Sequence, residues 1–260
     1  MSPKKLDVRP AVIEAYSGAW NHFNEMVRLI WLPGLLYILG VLLASVYQAR
    51  NEMLLAVLLN LATLFLWPII AVAWHRFILL GDTTNRAFNF TFGRRHTRFL
   101  IATVLIVLML IPGLTLLMVG NELAQTAPDK TGTITMLMLG GFTLLGLAAY
   151  YVPRLSLLLP AVAVDDAPDP RLLIEATRGN YWRLIALVAL TSLPVIVPYY
   201  FLAVILVLIG MPPAIMLIFA PVVTIFLAIL NVAVLSIAYR ELVGPAGTLP
   251  PLREPENPLA

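Results

Sequence analysis

Arg154 stands where an arginine is costly. It follows Pro153 and precedes residues 155–164, LSLLLPAVAV, an apolar run that ends only at Asp165 and Asp166. If the helix that carries it is centred on residues 141–164, the guanidinium lies within hydrocarbon and needs a partner or a path to water. If that helix covers 134–152 instead, the arginine snorkels to a membrane edge and the apolar run rests in the interface. The second reading is the simpler. The chemistry open to such a group is anion recognition, because its forked N–H donors match phosphate and carboxylate. Five further arginines share the setting. Arg28, Arg98 and Arg183 stand just before apolar runs, whereas Arg76 and Arg240, like Arg154, follow them. A bundle that gathered these six at one depth would make a rim for anionic phospholipid.

Other chemistry is thinly represented. Asn60 and Asn231 are the amides well inside apolar runs. Each is a candidate intramembrane polar contact, joining helices at about 0.6–2 kcal/mol or lining a path, and packing is the simpler role. Cysteine is absent, and His22, His75 and His96 sit in separate segments without ligand spacing, so no metal site is expected. No Gly-rich phosphate loop, His-Glu-x-x-His helix or serine elbow with a histidine partner occurs, so no catalytic residue or cofactor is expected. Asp165, Asp166 and Asp169 in DDAPDP invite a Mg²⁺-dependent lipid reaction, but a turn leading into a helix start explains them more simply, with Pro168 and Pro170 in support.

The elements that would position these residues are membrane helices. The chain is 60% hydrophobic and 12% charged, with apolar stretches at 29–47, 53–74, 99–119, 134–152, 184–209 and about 214–238. Each reaches the roughly 20 residues that cross a hydrocarbon core. Prolines interrupt many of them, at Pro33, Pro68, Pro112, Pro194, Pro198 and Pro221. Broken helices are a transporter device, yet proline is common in ordinary membrane helices. No span carries Asp, Glu or Lys at its centre, which argues against proton- or sodium-coupled transport.

Assigning alternate connections to opposite sides puts fifteen of the 17 Lys and Arg residues on one face and only Arg50 and Lys130 on the other. This asymmetry predicts cytoplasmic termini. The arginines are spread along membrane edges without a long basic run, which excludes nucleic acid as a partner.

The expected fold is therefore an all-α polytopic bundle of six transmembrane helices, read as three degenerate hairpin repeats. Each repeat opens with an amphipathic cytoplasmic lead-in: 12–28, 88–98 and 172–183. Trp20 with Phe23, Phe90 with Phe92, and Tyr181 with Trp182 would sit at headgroup depth. Residues 1–243 form the membrane domain, and the proline-rich segment 244–260 is expected to be a mobile cytoplasmic tail. No cleavable signal is expected in the charged first 28 residues.

The sequence Gly179-Asn180-Tyr181-Trp182-Arg183-Leu184, the run from Pro153-Arg154-Leu155 to Pro160-Ala161-Val162-Ala163-Val164-Asp165, and the closing Ala238-Tyr239-Arg240-Glu241-Leu242 resemble bacterial six-span inner-membrane families. These are the YciC-like proteins and the membrane domain found beside some glycerophosphodiester phosphodiesterases. The resemblance implies an integral inner-membrane bundle without established catalysis, and the phosphodiesterase domain itself is absent. The resulting expectation is a non-catalytic scaffold, accessory subunit or lipid-organising protein, with a transporter or permease component for a small or lipidic substrate as the alternative. Its partners would be membrane lipids, anionic phospholipid among them, and a membrane-protein partner or a second copy of the chain.

The orientation is directly testable. Cysteine in place of Ser2 or Pro258 is expected to stay shielded from an impermeant thiol reagent in intact cells, whereas cysteine at Lys130 reacts. Labelling of the termini would reverse the topology.

Overall fold

The computed structural model describes residues 5–82, 92–166, 169–212 and 214–245. Residues 88–91 of the second lead-in (with Phe90), Pro168, and the tail from 246 onward lie outside the described residues. The elements are all α-helices: α1 (Val8–Asn21), α2 (Phe23–Ala49), α3 (Met53–Leu80), α4 (Arg94–Leu108), α5 (Ile111–Thr126), α6 (Thr131–Leu155), α7 (Leu158–Ala163), α8 (Pro170–Ala176), α9 (Tyr181–Leu208) and α10 (Ala214–Leu242). Six stretches are long and apolar enough to cross a membrane: Phe23–Ala49, Met53–Leu80, Arg94–Thr126, Thr131–Ala163, Tyr181–Leu208 and Ile215–Leu242. Hydrocarbon offers backbone amides no partner, so a single-segment spanning structure must satisfy them within the helix.

The prolines test that rule. Pro33, Pro68, Pro194, Pro198 and Pro221 sit inside helices that continue past them. The third span, by contrast, breaks at Met109-Leu110, just before Pro112. There the ladder tightens to three-residue spacing, with Met109 N–H donating to Ile106 O (3.3 Å) and Leu110 N–H to Val107 O (2.9 Å). The fourth breaks at Ser156-Leu157, ahead of Pro160, with Leu159 N–H donating to Ser156 O at 3.1 Å. Each proline removes a donor to the carbonyl four residues back.

Three hairpins result, pairing α2 with α3, α5 with α6, and α9 with α10. They are built unequally. The first lead-in ends at Asn21, and the rest of its predicted length opens α2. The third is cut into the 7-residue α8 and the first turn of α9. Among the described residues, only the middle hairpin has broken arms.

Packing is concentrated at one end of the bundle, where Leu6 and the last turns of α10 lie together. One buried cluster joins Leu6, Ala11, Ala15, Leu157, Leu173, Leu184, Val234 and Tyr239; a second joins Met26, Ile30, Ile70, Trp74, Phe99, Ala163 and Val232. α7 packs against α3, α4 and α10 within this core, and Leu157, Ala161 and Ala163 are fully buried. The apolar run after Arg154 is thus packed within the protein and not laid along its surface. Its breaking turn folds it inward. Toward the other end, apolar side chains face outward on every hairpin, for example Leu54, Met136 and Leu208, at 73%, 78% and 79% exposed.

The middle hairpin closes through small residues. A Cβ on Gly141 would stand 2.6 Å from Leu117 Cδ2 and 3.1 Å from Gly113 O, and one on Gly113 would meet Gly141 O at 3.0 Å. Backbones approach this closely only where side chains are missing. Gly141→Leu is expected to lower stability in detergent by about 1–3 kcal/mol, the usual cost of overpacking. Gly146→Leu on the same helix, where an added Cβ meets nothing within 4 Å, should have no such effect. Equal unfolding midpoints for the two variants would refute the glycine seam.

Candidate functional site: the arginine-rich end of the bundle

The site begins with a missing hydrogen. Pro153 cannot donate to the Ala149 carbonyl one turn back in α6. The Tyr181 hydroxyl, on the first residue of α9, donates to that freed carbonyl at 3.2 Å. This bond brings the Tyr181 ring to 5.4 Å from the Tyr150 ring. Arg154 lies on the pair, its guanidinium carbon 4.0 Å from the Tyr150 centroid and 5.6 Å from that of Tyr181. Stacking of this kind contributes about 0.5–2 kcal/mol. Arg154 is only 7% exposed. Its Nε is buried without a partner, and the side chain has no hydrogen bond or ion pair to any described residue. Arg154 is therefore enclosed by protein, not extended along a surface.

The start of α9 also anchors the N-terminal segment. Leu6 N–H donates to Asn180 Oδ1 at 2.9 Å, and Arg183 Nη1 donates to Leu6 O. Tyr16 on α1 donates to the Thr191 carbonyl of α9 at 2.7 Å, and burial holds its phenol above the ordinary value. The alanines Ala11, Ala15 and Ala19 let α1 lie close against its neighbours.

The remaining arginines meet different fates. Asp165, in the left-handed region at φ 62, accepts a forked contact from Arg95 Nε and Nη2, and Arg76 Nη1 stands 3.7 Å away. Arg76 also donates to Asp82 through Nε at 2.9 Å and Nη2 at 2.8 Å. This chain ties the ends of α3, α4 and α7. Its members are partly exposed, so each pair contributes about 1 kcal/mol or less. Arg240 donates to both Glu14 oxygens, at 2.7 and 2.8 Å, joining α10 to α1. Arg28 is exposed and Arg98 half-buried, and neither has a partner among the described residues. The structure thus brings Arg76 to a shared carboxylate with Arg95, and distributes Arg28, Arg98, Arg154, Arg183 and Arg240 among separate surroundings.

Sequence reasoning overlooked Arg95 and the carboxylates that hold the arginines. The available signals were the Arg94-Arg95 doublet before a span and the Asp165-Asp166 doublet after one. Asp169 does cap a helix, accepting from Arg171 N–H at 2.8 Å with Pro170 in the first turn of α8. Its two neighbours act otherwise. Asp166, 3% exposed, accepts from the Tyr239 hydroxyl at 2.7 Å. His75 was also missed as a helix joiner. Its Nδ1 lies 2.7 Å from Ser236 Oγ, both residues being fully buried. The Ser236 hydroxyl also lies 2.9 Å from Val232 O, so this contact joins α3 to α10. His75 Nε2 and Trp74 Nε1 are buried without partners.

The two intramembrane amides bond within their own helices, Asn60 to Ala56 O at 2.9 Å and Asn231 to Leu227 O at 2.8 Å. Asn60 also lines a cleft of about 570 Å³ with Tyr37, Trp67 and Thr224. A cavity of about 530 Å³ separates the end of α1 from α3 and α10, with Glu14, His22, Glu25 and Arg240 at its polar side and Trp74 and Ile237 among its apolar walls. A third depression, about 560 Å³, is bordered by Arg94, Arg95, His96 and Arg98. Among the described residues no group of three or more His, Cys, Asp or Glu could hold a metal ion.

The buried and exposed acids should behave differently on mutation. Tyr239→Phe removes a hydrogen bond to a buried carboxylate, and a loss of about 1.5–3 kcal/mol is expected. Asp165→Asn, at the partly exposed pair, should cost about 1 kcal/mol or less and lose most of that effect in high salt. Denaturant unfolding in detergent, with and without salt, measures both, and a larger loss for Asp165→Asn would invert this ranking.

No protein-family model matches the chain, and no curated protein or solved structure matches it either.

Proposed function

We propose that this chain is a non-catalytic multi-pass protein of a bacterial inner membrane, with both termini in the cytoplasm, that organises anionic lipid and serves as a scaffold or accessory subunit. The observation that carries the reading is an imbalance at the arginine-rich end. Glu14, Asp82, Asp165 and Asp166 are each engaged by side chains of the protein itself. Arg28, Arg98 and Arg154 have no internal counter-charge among the described residues. Surplus cations at a membrane edge are neutralised by anionic headgroups, at about 1 kcal/mol per side chain near the surface. The outward-facing apolar side chains of the opposite half are suited to lipid or to a partner's helices.

A transporter or permease component is the second reading. The broken third and fourth spans favour it, because interrupted helices expose backbone groups that can line a substrate path.

Purification in mild detergent separates the two. The lipid-organising reading expects anionic phospholipid enriched over its share of the source membrane, with a stoichiometric protein partner if the chain is also a subunit. Thermal stabilisation by a small solute, without lipid enrichment, would replace it with the transporter reading.

A further inference from the structure

We propose that Arg154 on its tyrosine tray is a discrete binding site for the phosphate of a membrane lipid headgroup. The inference rests on the lipid-organising reading above and narrows it to one place. An arginine enclosed by protein in a membrane helix requires a counter-charge, since a buried ion without one carries a desolvation penalty of several kcal/mol. At most other half-buried arginines of this end the protein supplies the partner itself, Arg98 being the exception among the described residues: Asp82 for Arg76, Asp165 for Arg95, the Leu6 carbonyl for Arg183. At Arg154 it supplies two aromatic faces and no acceptor.

Those faces fix geometry without neutralising charge. Tyr150 lies under the guanidinium at 4.0 Å, and Tyr181 is held beside it by its own bond to Ala149 O. Stacking restrains the planar group, so an incoming anion meets donors already oriented and less rotamer entropy is lost on binding. Tyr181 and Trp182 begin α9, and Trp182 is 75% exposed, which suits the headgroup boundary. A phosphate there can take two parallel N–H bonds from the Nη edge. The same chemistry would accept free inorganic phosphate, so the source must be distinguished by experiment.

The full-length protein is stripped of lipid in mild detergent, and its melting temperature is followed on adding phosphatidylglycerol, diacylglycerol or inorganic phosphate. Phosphatidylglycerol should stabilise the wild type, and diacylglycerol, which lacks the phosphate, should not. Equal stabilisation by both lipids overturns the proposal. Stabilisation by inorganic phosphate at matched concentration overturns the lipid source. Arg154→Gln should weaken phosphatidylglycerol binding at least about tenfold, the loss expected for a charge-assisted pair. Arg50→Gln should leave it unchanged. Should Arg154→Gln fail to fold, Tyr150→Leu together with the wild-type lipid comparison decides: unchanged affinity in Tyr150→Leu counts against the tray. If Arg154→Gln binds normally while the wild type still retains anionic lipid from the membrane, the site fails and the broader reading stands. If the wild type retains none, the broader reading fails as well.

Discussion

The insertion of Leu158–Ala163 between α3, α4 and α10 is the contact on which the rest of the arginine-rich end depends. A spanning helix that ran straight through residue 156 would carry this apolar turn out of the core. By breaking at Ser156-Leu157 the chain turns it inward, where Leu157, Ala161 and Ala163 are buried completely. The two aspartates just beyond α7 are then delivered to their partners. Asp165 reaches Arg95 and Arg76, and Asp166 reaches Tyr239. Packing of apolar groups thus positions the charges, and the charges join helices distant in sequence.

The same region shows how a backbone defect is put to use. Pro153 leaves Ala149 O unbonded within its helix, and an orphaned carbonyl is unfavourable in apolar surroundings. Tyr181 satisfies it from another helix. A local loss in α6 becomes a tertiary bond that sets the spacing of two aromatic rings, and these in turn hold Arg154. Leu6 presents a parallel case at the chain's beginning, with both its N–H and its carbonyl taken by residues of the α8–α9 junction and α9.

The spans were legible in the sequence because hydrocarbon imposes a length and a composition that few other structures share. The break points were not. Pro68 and Pro112 are the same residue in similar apolar contexts, yet one helix continues and the other divides. Pro68 is buried against neighbouring helices and Pro112 is exposed, a difference that local sequence does not display. The arginines were legible as a class, but their partners were hidden by distance along the chain. Arg95 and Asp165 are 70 positions apart, and His75 and Ser236 are 161 apart. Asn60 and Asn231, polar inside spans, looked like bonds between helices, whereas their amides donate one turn back, an option open to any membrane helix. The burial of Arg154 follows from Tyr150 and Tyr181 converging, and that convergence depends on a tertiary hydrogen bond.

The uneven packing of the bundle divides the chain into two substitution regimes. Around Trp74, Phe99 and Tyr239 a replacement must match volume and shape, since these side chains are fully enclosed. Around Leu54, Met136 and Leu208, which no neighbouring helix covers, it need only keep an apolar surface. Shape constrains the packed end of the protein, and apolar character alone the exposed end. One backbone thus carries two packing environments, enclosed at one end and open at the other.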